Sequence, residues 1–257
     1  MTACLIDALQ ARSGIVCAVG AGGKKTALYR LLESHPGKLG LTATAMTTPP
    51  PRRLLDIRLV DSADALTQAV PRAAAMHRRV GFACPSPKSG RLAGLPPASL
   101  AGLHASAGFD VTLVKADGAR MRGIKAPRDD EPLVAPGCRT VVFVVSAGVI
   151  GKRLDETVAH RLPELTRRLD IAPGEPITPD HVGHLLSHPM GAAHRVGEAT
   201  LIALISQVDD PARVELARRA ARRAMAGDRP PSRVVLGAMT APDPVVDIVE
   251  STASRAN

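Results

Sequence analysis

The chain has 257 residues, 45% of them hydrophobic and 22% charged, and 33 Lys and Arg against 24 Asp and Glu give a formal charge of +9. That balance suits a globular protein large enough to bury a core. With no Trp, one Tyr and three Phe, it offers too few aromatic platforms for stacking single-stranded nucleic acid.

In chain order, Asp7 and Arg12 flank a short apolar patch, the wrong charge order for a secretory signal. Residues 14–19 read as a buried strand, followed by glycines and a helix over 26–34, and 39–44 as a second strand running into Pro49 to Pro51. A helix is expected over 64–77, broken or kinked at Pro71, then a short strand over 80–83 and an exposed Pro- and Gly-rich loop over 85–97. The longest uncharged segment, Leu92 to Phe109, is interrupted by Gly94, Pro96, Pro97, Gly102 and Gly108, so no membrane span is expected. Residues 111–116 and 140–146 are β-branched and nearly unbroken, as strands covered on both faces should be. Residues 154–190 read as a helical lobe, and 199–206 as strand or helix. Asp210 caps a helix that stops at Gly227, and 234–238 is a further strand. The alternation predicts one α/β domain over residues 1–257, with a mostly parallel central sheet flanked by helices. Cys4, Cys17, Cys84 and Cys138 are isolated in sequence and read as reduced thiols of a cytoplasmic protein.

The most informative stretch joins the first strand to the first long helix: Gly20, Ala21, Gly22, Gly23, Lys24, Lys25, Thr26. Glycines let backbone N–H groups turn toward an anion, and the helix N-terminus adds a favourable dipole. A lysine at the helix start reaches outer phosphates, and an adjacent hydroxyl can ligate Mg²⁺. Gly20 to Lys24 fits a short G-x-x-G-K pattern, with Thr26 one place later than the usual hydroxyl. The competing reading is a purely structural turn. Asp117 ends the strand over 111–116, where it would hold Mg²⁺ or its waters, or else form an Asp-Gly turn. Arg120, Arg122, Lys125 and Arg128 follow as a cationic loop on the expected ligand side of the sheet. Asp209 either recognises a nucleotide base or caps the next helix together with Asp210. The arginines at 213, 218, 219, 222 and 223 stud that helix as a solvated face or, alternatively, a nucleic-acid or acidic-partner surface. His181, His184, His188 and His194 cluster in sequence without the carboxylates of a zinc site.

Taken in order, these segments resemble the YqeC family, accessory proteins associated with selenium-dependent molybdenum hydroxylases. The likeness runs through LIDAL at Leu5, VGAGGKKTALYRLL, LTATAM, VKADGARMRGIKAP, GKRLDETVAHRLPEL and LISQVDD, with the ADGAR and KAP block its most specific part. It implies a P-loop NTPase-like fold and a role in maturing a molybdenum hydroxylase or its molybdopterin-type cofactor, with ATP or GTP and Mg²⁺ as ligands. On that likeness Gly20, Gly22, Gly23 and Lys24 would cradle phosphate, and Asp117 with Thr26 or Thr44 would hold metal. Arg120 and Lys125 would contact phosphate or substrate, and His160 with Arg161 would line the same cleft. Four departures share one direction: Lys25 replaces a usual hydroxyl, Ala45 a base, Lys115 a Glu, and Ser206-Gln207 an Asn-Lys pair. They weaken guanine selectivity and metal-dependent hydrolysis. The alternative they favour is a non-catalytic scaffold or carrier that binds a phosphorylated cofactor through the same loop. Nucleic acid is not an expected partner.

Overall fold

A computed structural model describes residues 4–250, and strands and helices alternate along them. A short helix α1 (Leu5–Ala8) precedes β1 (Gly14–Gly20), α2 (Lys24–Ser34), β2 (Leu39–Ala43), β3 (Ile57–Val60), α3 (Ala63–Met76), β4 (Arg79–Pro85), β5 (Leu92–Ala93), α4 (Leu100–Ala107) and β6 (Val111–Lys115). Then come β7 (Ile124–Lys125), β8 (Cys138–Ser146), β9 (Ala159–His160), α5 (Leu162–Leu169), α6 (Pro179–Ser187), β10 (Thr200–Ser206), α7 (Pro211–Met225), β11 (Arg233–Gly237) and β12 (Val245–Glu250). Nine strands run in the order β12-β11-β10-β8-β1-β6-β2-β4-β3, and β5 joins β4 as the tenth strand of the sheet. Only β11–β12 and β4–β5 pair antiparallel, so the architecture is the mostly parallel α/β fold that the sequence predicts.

The unbroken apolar runs follow from burial on both faces. Successive strand residues point to opposite faces, and β1 sends Ile15, Cys17 and Val19 into one core and Val16 and Ala18 into the other. In β8, Val141, Phe143 and Val145 enter the first core, and Val142 and Val144 the second. Leucines of α1 and α2, among them Leu5, Leu28, Leu31 and Leu32, cover the second. Helices α3, α4, α6 and α7 cover the first. Helix α7 does so through Ala217, Ala220, Ala221 and Ala224, spaced to form one narrow stripe. Most of its arginines find acidic neighbours: Arg213 pairs with Asp209 and Asp210, Arg218 with Asp247, and Arg222 with Glu215.

Several expectations change in detail. Helix α3 continues through Pro71, held by Leu66, Val70, Ala73 and Ala74 packing into the core rather than by an unbroken hydrogen-bond ladder. The segment over 85–97 is not wholly exposed: only its tip is, while β5 pairs back on Cys84 and Pro85, and Leu92 and Leu95 are buried. Residues 199–206 resolve as strand, because β10 lies between β8 and β11 and must be apolar on both faces. The region over 154–190 holds α5 and α6, and β9 pairs in parallel with β7 in a separate two-stranded sheet. Cys17 and Cys138, distant in sequence, are neighbours on β1 and β8, where Cys138 lends its thiol to the Ile15 and Thr140 carbonyls. No helix among the described residues is long and apolar enough to cross a membrane.

The sheet places the loop after β1 at the carboxyl edge, next to the ends of β6 and β8. That is where open α/β sheets bind ligands. Gly20 and Gly22 take positive φ values of 86° and 81°. A Cβ on Gly22 would lie 2.6 Å from the Ser146 nitrogen and 2.7 Å from the Gly123 oxygen, so only glycine lets the turn pass. Gly22→Ala is therefore expected to destabilise the protein by more than about 1 kcal/mol. Gly102→Ala, in α4 with open space at its Cβ, should instead add about 0.5–1 kcal/mol. Denaturant unfolding of both variants checks this, and equal losses would contradict the packed turn.

Candidate functional site

The loop feeds directly into α2, with Gly23 (φ 128°) as the last residue before the helix. Lys24, the first helical residue, is buried and folds back over the turn. Its ammonium donates to the Gly20 carbonyl and sits 2.8 Å from Asp117 Oδ1. Burial lowers the Lys24 pKa, and the Asp117 carboxylate opposes that shift. Asp117 follows β6, the neighbour of β1, which is why a residue so distant in sequence meets the loop. Its Oδ2 accepts from the Gly20 N–H at 2.9 Å and from Lys125 Nζ at 3.0 Å.

Lys125 is 1% exposed. Besides Asp117, its ammonium reaches the Gly118 carbonyl at 2.9 Å and Glu131 Oε2 at 2.8 Å. Glu131 in turn pairs with Arg161 at 3.0 Å. Burial alone would raise the Glu131 carboxyl, but hydrogen bonds and charge from Lys125 and Arg161 outweigh it and hold the group at about 2. His160, paired across the small sheet with Lys125, is pushed down to about 4 by burial and by the charges of Arg161, Lys125 and Arg120. It is therefore neutral at physiological pH. Lys115 is lowered to about 8, first by burial and then by the charge of Lys24. Lys24, Lys115, Lys125 and Arg161 thus face only Asp117 and Glu131 as counter-charges. A largely buried cluster with a cationic surplus beside glycine N–H groups is chemically able to attract an anion.

The remaining expected residues sit differently. Ala21 is buried and donates its N–H to the Val144 carbonyl at 2.8 Å, locking the loop to β8. Lys25 and Thr26 are exposed on the first turn of α2, and Lys25 hydrogen-bonds to Thr48 Oγ1. Thr44 is buried with its hydroxyl donating to the Leu133 carbonyl at 2.7 Å. Arg120 is exposed at a positive φ of 46°. Asp209 is exposed and pairs with Arg213 at 3.3 Å, while Asp210 caps α7 through the Arg213 N–H at 2.9 Å. His181 belongs to the capping box of α6, His184 and His188 contact edge to face, and His194 meets the Asp129 carbonyl. For Mg²⁺ the donors do not form a resident site. Both Asp117 oxygens face ammonium groups, and among the described residues no three His, Cys, Asp or Glu side chains converge as metal ligands.

Three residues complete the arrangement without a sequence signal of their own. Glu131 follows two aspartates in an irregular segment, and only the fold brings it onto Lys125. Ser206, at the end of β10, donates to the Gly22 carbonyl, and Ser146, at the end of β8, bonds to Gln207 and receives the Gly148 N–H. The Ser206 hydroxyl braces the loop from its strand end, and the Ser146 hydroxyl ties the ends of β8 and β10. A short polar residue closing an apolar strand was the available clue.

A family profile described as "YqeC protein" matches residues 16–163, more than half of the chain. That span holds the glycine loop, Asp117, Lys125, Glu131, His160 and Arg161 together. The chain is also 26% identical over 192 residues to "Uncharacterized protein YqeC" of Escherichia coli (strain K12), a match covering 73% of each protein. On the profile match and the order of its motifs, the chain belongs to the YqeC family.

Proposed function

We propose that the protein binds a nucleotide through the Gly20–Lys24 loop and acts as an accessory factor in maturing a molybdenum hydroxylase or its molybdopterin-type cofactor. The observation that carries the nucleotide half is Lys24, whose buried ammonium is held at the mouth of a glycine turn by Asp117. An arriving phosphate chain offers Lys24 a stronger partner, and the loop N–H groups and the α2 N-terminus add theirs. Lys125 and Arg161 supply positive charge around the same turn, and Glu131 fixes both in place. Mg²⁺ belongs to this reading as a companion of ATP or GTP, carried in with the triphosphate. The maturation half rests on the family resemblance of the motif series, above all the ADGAR and KAP block.

A specific observation favours binding with slow or no turnover. Lys25 occupies the usual hydroxyl position and is tied to Thr48, and Asp117 is engaged by two lysines and a backbone N–H. A scaffold or carrier that holds a phosphorylated ligand needs only the positive cradle.

Calorimetry with Mg-ATP and Mg-GTP should show binding to the wild type and a loss of about tenfold or more in Lys24→Ala. That variant should keep its fold, because Asp117 retains Lys125 and the Gly20 N–H. Unchanged affinity in Lys24→Ala would sink the nucleotide reading. Asp117→Ala is expected to behave differently: it strands the buried Lys24 ammonium, leaves Lys125 with Glu131 as its one carboxylate, and should cost about 3–5 kcal/mol in denaturant unfolding.

Nucleotide binding should also raise the His160 pKa from about 4, because a bound anion opposes the burial and the Arg161, Lys125 and Arg120 charges that depress it. By linkage, affinity then increases as pH falls through the raised value and is flat above the ordinary histidine range. Proton NMR of the His160 ring with and without nucleotide checks this, and an unmoved pKa would place the phosphates elsewhere.

A further inference from the structure

A second cleft lies beside the phosphate loop and shares none of Gly20, Lys24 or Asp117. It is a shallow cleft, about 440 Å³ when the open solvent at its mouth is included, at the carboxyl ends of β2 and β4. One wall is α2, another the strand ends, and the β5 return closes it with Leu92. Leu28, Tyr29 and Phe82 make much of the surface apolar.

Two features separate this cleft from an ordinary surface groove. First, its charged lining is entirely cationic: Lys25, Arg58 and Lys115 contribute, and no Asp or Glu does. Lys25 is satisfied by Thr48 and Lys115 by the Met46 carbonyl, at 2.9 Å, so hydrogen bonds hold both ammonium groups without neutralising them. Low-dielectric walls concentrate such a field, and although Asp117 acts on Lys115 from outside the lining, it is already held by Lys24 and Lys125, so the cleft keeps a positive surplus suited to an anion. Second, the walls beside these cations are apolar, with Leu41 of β2 packed near Leu28 and Tyr29 of α2.

We propose that this cleft binds a small organic anion, a carboxylate or phosphate carried on a compact apolar ring, as the co-ligand of the phosphate loop. Inorganic phosphate would leave the Leu28, Tyr29 and Phe82 surface wet, and a neutral ring would leave the cations unpaired. The co-ligand role rests on the nucleotide reading; the anion site itself does not. Lys115 connects the two sites, since it lines the cleft and stands two residues before Asp117, within the electrostatic reach of Lys24.

The test uses phenyl phosphate as probe, with benzyl alcohol and inorganic phosphate as controls, titrated calorimetrically into the wild type, Arg58→Met, Thr42→Val and Lys24→Ala. Phenyl phosphate should bind the wild type about tenfold more tightly than either control, and Arg58→Met should weaken it about tenfold. Thr42→Val, at a hydroxyl buried away from the cleft, should leave phenyl phosphate binding unchanged and serves as a control. Lys24→Ala should leave phenyl phosphate binding intact. Binding that disappears in Lys24→Ala but survives Arg58→Met puts the anion on the phosphate loop and overturns the proposal. Absence of phenyl phosphate binding at millimolar concentration also overturns it. If Mg-ATP and Mg-GTP fail to bind while phenyl phosphate binding persists, the nucleotide reading falls and the anion cleft stands.

Discussion

The site depends on one carboxylate. Asp117 accepts from the Gly20 N–H and the Lys125 ammonium and pairs with Lys24, so it joins the glycine loop, the end of β6 and the segment leading into the small sheet. Lys125 passes the constraint on to Glu131, and Glu131 to Arg161, which begins α5. Four charged groups beyond the loop are thus fixed relative to one another by direct contacts. Buried ion networks contribute little net stability, because desolvation offsets most of the Coulomb gain. What they provide here is position. A loop lysine without Asp117 would be an unpaired buried charge, and it would either swing out to solvent or lose its proton.

The sheet supplies the frame that makes this contact possible. With β1 between β6 and β8, the loop after β1 is bordered on one side by Asp117 and on the other by Ser146. Ser206, on the next strand out, reaches the Gly22 carbonyl. Parallel strands bring all these polar residues to the same edge, because every strand ends there in the same direction. Among the described residues the opposite edge carries no such cluster of buried ionic groups. Apolar alternation along β1, β8 and β10 keeps the strands in register, and the register sets which polar residue faces the loop.

Much of this was legible in the sequence. Unbroken β-branched runs can be stable only as strands covered on both faces, so β1, β6, β8 and β11 declare themselves, and the glycine turn between strand and helix marks the loop. The edge strands β3 and β12 were not readable: Ile57–Val60 includes Arg58, and Val245–Glu250 includes Asp247, patterns that half-exposed strands share with loops. The β5 return was hidden by its prolines and glycines, which signal exposure even where Leu92 and Leu95 are buried. In the site, Lys24 and Asp117 could be named because strand ends are predictable positions. Glu131 could not, since its role arises from a contact with Lys125 across an irregular segment. The partial burial of Lys115 likewise depends on β2 lying beside β6, a pairing the linear order does not reveal.

The family departures acquire a common physical meaning in this frame. Lys25 bonds to Thr48, Lys115 to the Met46 carbonyl, Ser206 to the Gly22 carbonyl, and Gln207 to Ser146. Lys25 and Lys115 brace the segment after β2, Ser206 braces the glycine loop, and Gln207 ties the ends of β8 and β10 together. Two of them also add positive charge where the family has a hydroxyl or a carboxylate. The same substitutions that remove metal-ligand chemistry from the loop therefore line the neighbouring cleft with cations. On the proposed reading, this arrangement suits holding an anion better than driving hydrolysis, because Lys25 and Lys115 present ammonium groups where a metal ion would need oxygen ligands.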